Sequence, residues 1–103
     1  MIFVFEVQVH PGYTAEAYAD AWVRASEIIQ QAPGARGTRL HRKIGDPTRL
    51  LAIASWVSKS ARDAMETNPS GEVQRIIASQ AEFVDVLVIG EFDDPDWAVE
   101  PGC

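Results

Sequence analysis

The stretch "LLAIASW", Leu50 to Trp56, reads as a β-strand. It is built from small and medium apolar residues. It ends on an indole just before "VSKSARDAM", which opens a helix. Alternate residues of a strand point to opposite faces, so Leu50, Ala52, Ala54 and Trp56 share one face and Leu51 and Ile53 the other. A strand that is apolar on both faces needs cover on both. What lies on each side of this segment decides the fold. Whether Trp56 only fills core or also lines a site decides what the protein can bind.

The neighbours follow outward from this strand. "RGTRLHRKI" before it reads as a strand and "GDPT" as the turn between them, a hairpin with a loop of four to five residues. "IFVFEVQV", Ile2 to Val9, is β-branched and aromatic, as strands are. "HPGYT" then turns the chain, Thr14 caps a helix, and Glu16 sits in its first turn, where an acid is favoured. Tyr18, Trp22, Ala25, Ile29 and Ala32 fall on one helical stripe, with Asp20, Arg24, Glu27 and Gln31 opposite. "APGARG" stops this helix. After Trp56, Ser58 or Ser60 caps a second helix carrying Ala61, Ala64 and Met65. "TNPSG" breaks it, and Ser70 caps a continuation through Val73, Ile76, Ile77 and Gln80. "EFVDVLVIGEF" is the last strand and "DDPDWAVEPGC" an irregular acidic tail.

The order β-α-β-β-α-β predicts an α+β, ferredoxin-like domain over residues 1–92, with a four-stranded antiparallel sheet and the tail as residues 93–103. Strand one carries Phe3, Phe5, Val7 and Val9 on one face, with Ile2 and Val4 opening the other. In strand four, Val84, Val86 and Val88 oppose Phe83, Leu87 and Ile89. Helices cover one sheet face. The second face is an exposed apolar patch unless something covers it. A second copy of the chain, packed sheet to sheet about a two-fold axis, is the simplest cover. The tail, with Trp97 and Val99, is short and acidic for that task.

Composition narrows the function classes. With 103 residues and 47% apolar content, the chain fits one globular domain. A net charge of −6 excludes the basic field that a nucleic-acid surface needs. The charge is uneven: Arg36, Arg39, Arg42, Lys43 and Arg49 cluster in the hairpin, and Glu91, Asp93, Asp94, Asp96 and Glu100 in the tail. That basic strand could meet the acidic tail, or the two could be separate solvated faces. Cys103 is the only cysteine, so no internal disulfide forms, which suits a reducing cytoplasm. "MIFVFEV" lacks a basic n-region and is not a signal peptide, and no apolar run reaches membrane-spanning length.

No phosphate loop, dinucleotide fingerprint, nucleophile elbow or His-Glu-x-x-His motif occurs. Two histidines, His10 and His41, are too few for a metal centre of three protein ligands, so no metal is expected. His10 stands beside a turn and reads as solvated. His41 alternates with Leu40 and, if partly buried and neutral, could exchange a proton near neutral pH. The small residues on the Trp56 face leave volume above the sheet. Trp22 and Met65 can close that volume, with Phe5 and Val7 as its floor. This predicts an aromatic-lined cavity for a flat organic ligand, and the same spacing also describes plain core filling.

"PGARGTRLHRKIGDPTRLLAIASWVSKSARDAM", Pro33 to Met65, resembles the central block of the antibiotic biosynthesis monooxygenase family. It has Pro-Gly, an arginine-bearing strand, an Asp-Pro hairpin, an apolar strand ending in Trp, and a Ser-rich helix start. The flanking elements match in order over about residues 1–92. The resemblance implies a dimeric α/β barrel. It also implies oxidation of a quinol or polyketide-like aromatic by O₂ without metal or flavin, with Trp56 in contact with substrate. Phe5, Trp22 and Met65 would then be walls and His41 a proton acceptor. Polyketide-oxidising members carry an Asn four residues before that Trp, where this chain has Ala52. A haem-degrading branch carries a His ten residues after the Trp, where this chain has Glu66, and a strand-one Asn that it lacks. A non-catalytic, dimeric small-molecule-binding protein is the alternative on the same fold.

Overall fold

The computed structural model describes residues 1–68 and 70–102. Pro69, inside the "TNPSG" helix break, and Cys103, the lone cysteine, lie outside the described residues. The chain runs β1 (Ile2–Val9), α1 (Ala15–Ile29), β2 (Ala35–Lys43), β3 (Asp46–Trp56), α2 (Lys59–Thr67), α3 (Gly71–Gln80) and β4 (Val84–Phe92). The sheet order is β2-β3-β1-β4, with every neighbouring pair antiparallel. This is the ferredoxin-like α+β arrangement. Its second crossover is divided into two helices.

Local signals set most of these boundaries. The Thr14 hydroxyl accepts the Ala17 N–H at 3.1 Å and caps α1. Ser58 caps α2 through the Ala61 N–H at 3.1 Å, and Ser70 caps α3 through the Glu72 N–H at 3.2 Å. Tyr18 and Ala25 of the expected stripe are buried with Ala15 and Ala21. Ala32 lies past the end of the helix, which stops at Ile29 before Gly34 turns the chain with a φ of 88°.

The hairpin differs from its expectation. Its loop is the two residues Ile44 and Gly45, not "GDPT". Gly45 supplies a φ of 88°, so the chain reverses before Asp46 and Pro47 enter β3. The irregularity that Asp-Pro imposes falls inside the strand instead. The register shifts between Arg42, opposite Leu50, and Lys43, opposite Asp46. Asp46 holds that bulge through the Thr48 hydroxyl at 2.6 Å and the Thr48 N–H at 3.2 Å. These bonds hold its carboxyl below the usual carboxylate range.

The three helices lie on one face of the sheet. Val7, Val9, Leu50 and Val84 pack there against Ala15 and Tyr18 to make the core. The opposite face has no layer over it. The tail follows β4 without helix or strand through residue 102, and Trp97 and Val99 are 88% and 97% exposed. It therefore does not cover the open face. Two arginines of the hairpin pair elsewhere: Arg42 with Glu16 of α1 at 3.0 Å, and Arg49 with Glu6 of β1 at 3.7 Å. Arg36 does act on the tail: the Met1 ammonium holds the Asp94 carboxyl below its ordinary range, and Arg36 adds to this.

Candidate functional site

A cavity of ≈ 590 Å³ lies between the helices and the covered face of the sheet. This size is within the range of small-molecule sites. Its existence follows from the side chains that the strands present. Phe3 pairs in register with Ala54, and Thr38 of β2 pairs with Ala54 on the other side. The small Ala54, only half-buried, leaves the floor low between larger neighbours. Trp56 closes one end. It is 2% exposed, and its backbone N–H donates to the Met1 carbonyl at 2.9 Å. Trp22 of α1 and Met65 of α2 form walls, as does Phe5 of β1. The α3 side is looser, because α3 packs mainly on α1. Ile77 and Val86, both exposed, rim the cavity there.

Of the residues read from the sequence, Phe5, Trp22, Trp56 and Met65 meet around this space. Val7 and Ala52 do not line it. They share the correct face but are 0% and 1% exposed, beneath the floor. Ala52 is flanked in register by Phe5 and Leu40, whose bulk fills the volume above it. His41 is also outside. It pairs in register with Leu51, on the open face, and sits in a shallow surface depression with Glu6, Arg42 and Arg49. The period of two puts it on the face opposite Leu40. As a proton acceptor for this cavity, His41 is therefore excluded by sheet geometry.

Of the lining residues that the sequence reading did not place in the pocket, Phe3, Tyr18 and Arg62 bear most on its chemistry. Phe3 extends the aromatic wall. Tyr18 lines the cavity with a hydroxyl that burial pushes up to about 12, so it stays protonated and can donate at neutral pH. Arg62 is the third. It is 7% exposed, and its guanidinium carbon lies 3.6 Å from the centre of the Phe3 ring. Its Nη2 pairs with Glu66 at 2.6 Å and its Nη1 with Glu91 of β4 at 3.4 Å. Lys59 braces the same corner, against Asp63 at 2.9 Å and Glu91 at 3.4 Å. A signal was present in the sequence: Arg62 stands three residues before Met65, on the same helix face, and four before Glu66.

The cavity thus offers aromatic surfaces, the Tyr18 phenol, a single Arg–Glu pair, and neutral polar groups from Ser26, Gln30, Thr38, Gln74 and Gln80. Among the described residues, no histidine lines it, and no group of three or more His, Cys, Asp or Glu gathers as a metal site. No helix among them is long and apolar enough to cross a membrane.

Solved structures with the same architecture include SnoaB, a cofactor-independent oxygenase from Streptomyces nogalater. It is 13% identical, with a TM-score of 0.72 over 93% of this chain and 96% of that one. A conserved protein from Methanosarcina mazei is 14% identical, with a TM-score of 0.67 over 88% and 92%. A further structure described as an antibiotic biosynthesis monooxygenase is 15% identical, with a TM-score of 0.63 over 90% and 100%. At such identities the likeness is one of fold. No curated protein sequence matches the chain. A family model does: it aligns with residues 1–77, from β1 through Trp56, α1 and α2 into α3, and places the chain in the antibiotic biosynthesis monooxygenase family.

Proposed function

We propose that the cavity binds a small flat aromatic, a hydroquinone or polyketide-like phenol, and that the protein oxidises it with O₂ and no resident cofactor. The cavity itself carries this reading. Its apolar walls end on two indoles, and a buried phenol stands ready as a donor. In such a reaction the substrate supplies all the electrons. In an anthrone-type polyketide phenol the ring CH₂ becomes C=O; in a hydroquinone a ring C–H becomes C–OH as the ring is oxidised to the quinone. In both, one oxygen atom enters the product and the other leaves as water with two hydrogens of the substrate. The protein's part is to exclude water, hold the ring and stabilise charge on its oxygen. The Tyr18 hydroxyl is suited to the last task, and Trp56 to stacking.

The second reading is binding without turnover. It is favoured by one observation: among the described residues, the only carboxylate lining the cavity, Glu66, is already engaged by Arg62, and no histidine accompanies it. Oxygen uptake with a panel of hydroquinones and anthrones separates the two. Consumption of O₂ equal to substrate supports the enzyme. Tight binding of a panel member with no uptake supports the binding protein and removes the enzyme. Replacing Trp56 by Ala should abolish binding in either case, and should lower stability by about 3–5 kcal/mol, as for other buried aromatics. Normal binding by a folded W56A protein would show that the indole is core filling alone.

The proposal includes a homodimer formed through the open sheet face. Leu87, Ile89 and Phe92 of β4 are exposed. Leu51 and Ile53 of β3 lie half-buried on the other side of β1. A second copy related by a two-fold axis would bury them all at once.

A further inference from the structure

Arg62 is the one buried charged residue among the described residues, and its position has a consequence for ligand choice. Burying a guanidinium is costly, and a helix that packs an apolar face has no structural need for one there. Here the cation is placed on the cavity wall, stacked over Phe3, and is the only cation among the described residues that lines the space. Its two carboxylate partners are not equivalent. Glu91 stands on β4 with its side chain 29% exposed and is shared with Lys59. Glu66 lines the cavity, is 53% exposed, and is held by Arg62 alone among the ion pairs described. One carboxylate is therefore part of a braced corner. The other sits where a ligand would sit and is free to swing into water.

We infer that Arg62 is an anion-recognising residue of this cavity, and that the preferred ligand is a planar aromatic acid whose carboxylate or ionised phenol displaces Glu66 from Arg62. The inference rests on the aromatic-cavity reading above and narrows its ligand class. The guanidinium has five N–H donors in a planar fork that matches a carboxylate, and the two ion pairs use one contact on each terminal nitrogen. Glu91 stays paired with Arg62 throughout, and on binding the ligand's anion takes the place of Glu66. Glu66 serves as the internal competitor. It keeps the guanidinium paired when the cavity is empty and lowers the affinity for weak anions. The ring of the ligand lies against Trp56 and Phe3, which Arg62 already covers.

The test compares anthracene-2-carboxylate with its neutral isostere, anthracene-2-carboxamide, by calorimetry at neutral pH. The wild-type protein should bind the carboxylate about tenfold or more tightly than the amide, the effect of one charge-assisted contact. Arg62→Gln should erase that preference, bringing the ratio of the two affinities to about one. Glu66→Gln, on a side chain 53% exposed, should tighten the carboxylate and widen its preference over the amide several-fold. Equal affinity for the two ligands in the wild type overturns the inference and leaves the aromatic cavity standing. Carboxylate binding that E66Q weakens or leaves unchanged overturns it too, even if R62Q does not fold. Failure of both ligands to bind overturns it together with the cavity reading.

Discussion

His10 shows how a single residue gains a role that its sequence context hides. Beside a turn it reads as solvated. In the fold its Nδ1 lies 3.1 Å from the Glu82 carbonyl and its Nε2 3.1 Å from an Asp85 carboxylate oxygen. Both partners accept, so both contacts are hydrogen bonds only when both ring nitrogens carry protons. The bond to Asp85 is the main cause holding its pKa above the ordinary 6.5, with Glu82 adding to it. A raised folded-state pKa means that the stabilisation is fully present below about 6.5 and is lost as the pH rises through the folded value. Thermal melts of the wild type and of Asp85→Asn should therefore differ most near pH 6 and converge toward pH 8. A constant gap across that range would show that the pair does not titrate with folding. Trp56 was legible as a site candidate from strand alternation alone. For Arg62 the spacing to Met65 and Glu66 gave its helix face but not its burial, because charge on a short helix ordinarily signals solvent and its partners Phe3 and Glu91 come from two distant strands.

At the scale of elements, the β2–β3 hairpin and α2 are joined by a close contact at Gly34. A side chain there would meet the Ala61 Cβ at 2.6 Å and a Val57 methyl at 2.8 Å, and the residue has a φ of 88°. Both the space and the backbone demand glycine. Gly34→Ala should cost about 2–4 kcal/mol in urea denaturation. Because Ala61 opens α2, the substitution should also displace Arg62 and Met65 and weaken ligand binding. A loss below about 0.5 kcal/mol would mean that α2 moves aside freely. The caps Thr14, Ser58 and Ser70 could be read directly, since each depends on local side-chain chemistry. The hairpin loop was misplaced. Asp-Pro is a strong turn signal, but Gly45 just before it closes the tighter turn, and the later residues become a bulge.

At the scale of the molecule, the two layers leave one sheet face bare, and the chain is 20 Å across its thinnest dimension. Leu87, at 62% exposure, lies on that face in β4. If two copies meet there, light scattering should report twice the 11.3 kDa chain mass. Leu87→Glu should then reduce it to the monomer, since a carboxylate buried at the centre of such an interface has no partner. A wild-type mass of one chain at micromolar concentration would remove the dimer.

The element order, the helix caps, the two apolar faces of the sheet and the aromatic character of the Trp56 face follow from local chemistry and periodicity. These were determined by the sequence by itself. Which of those side chains meet was decided only by the tertiary structure. Register set Phe5 and Leu40 over Ala52 and closed the space there, while Ala54 left it open. Strand phase sent His41 to the far side of the sheet, and β4 supplied Glu91 to a guanidinium on α2. Such contacts join residues tens of positions apart. No local pattern encodes them, because they depend on which bulky side chain reaches a given volume first.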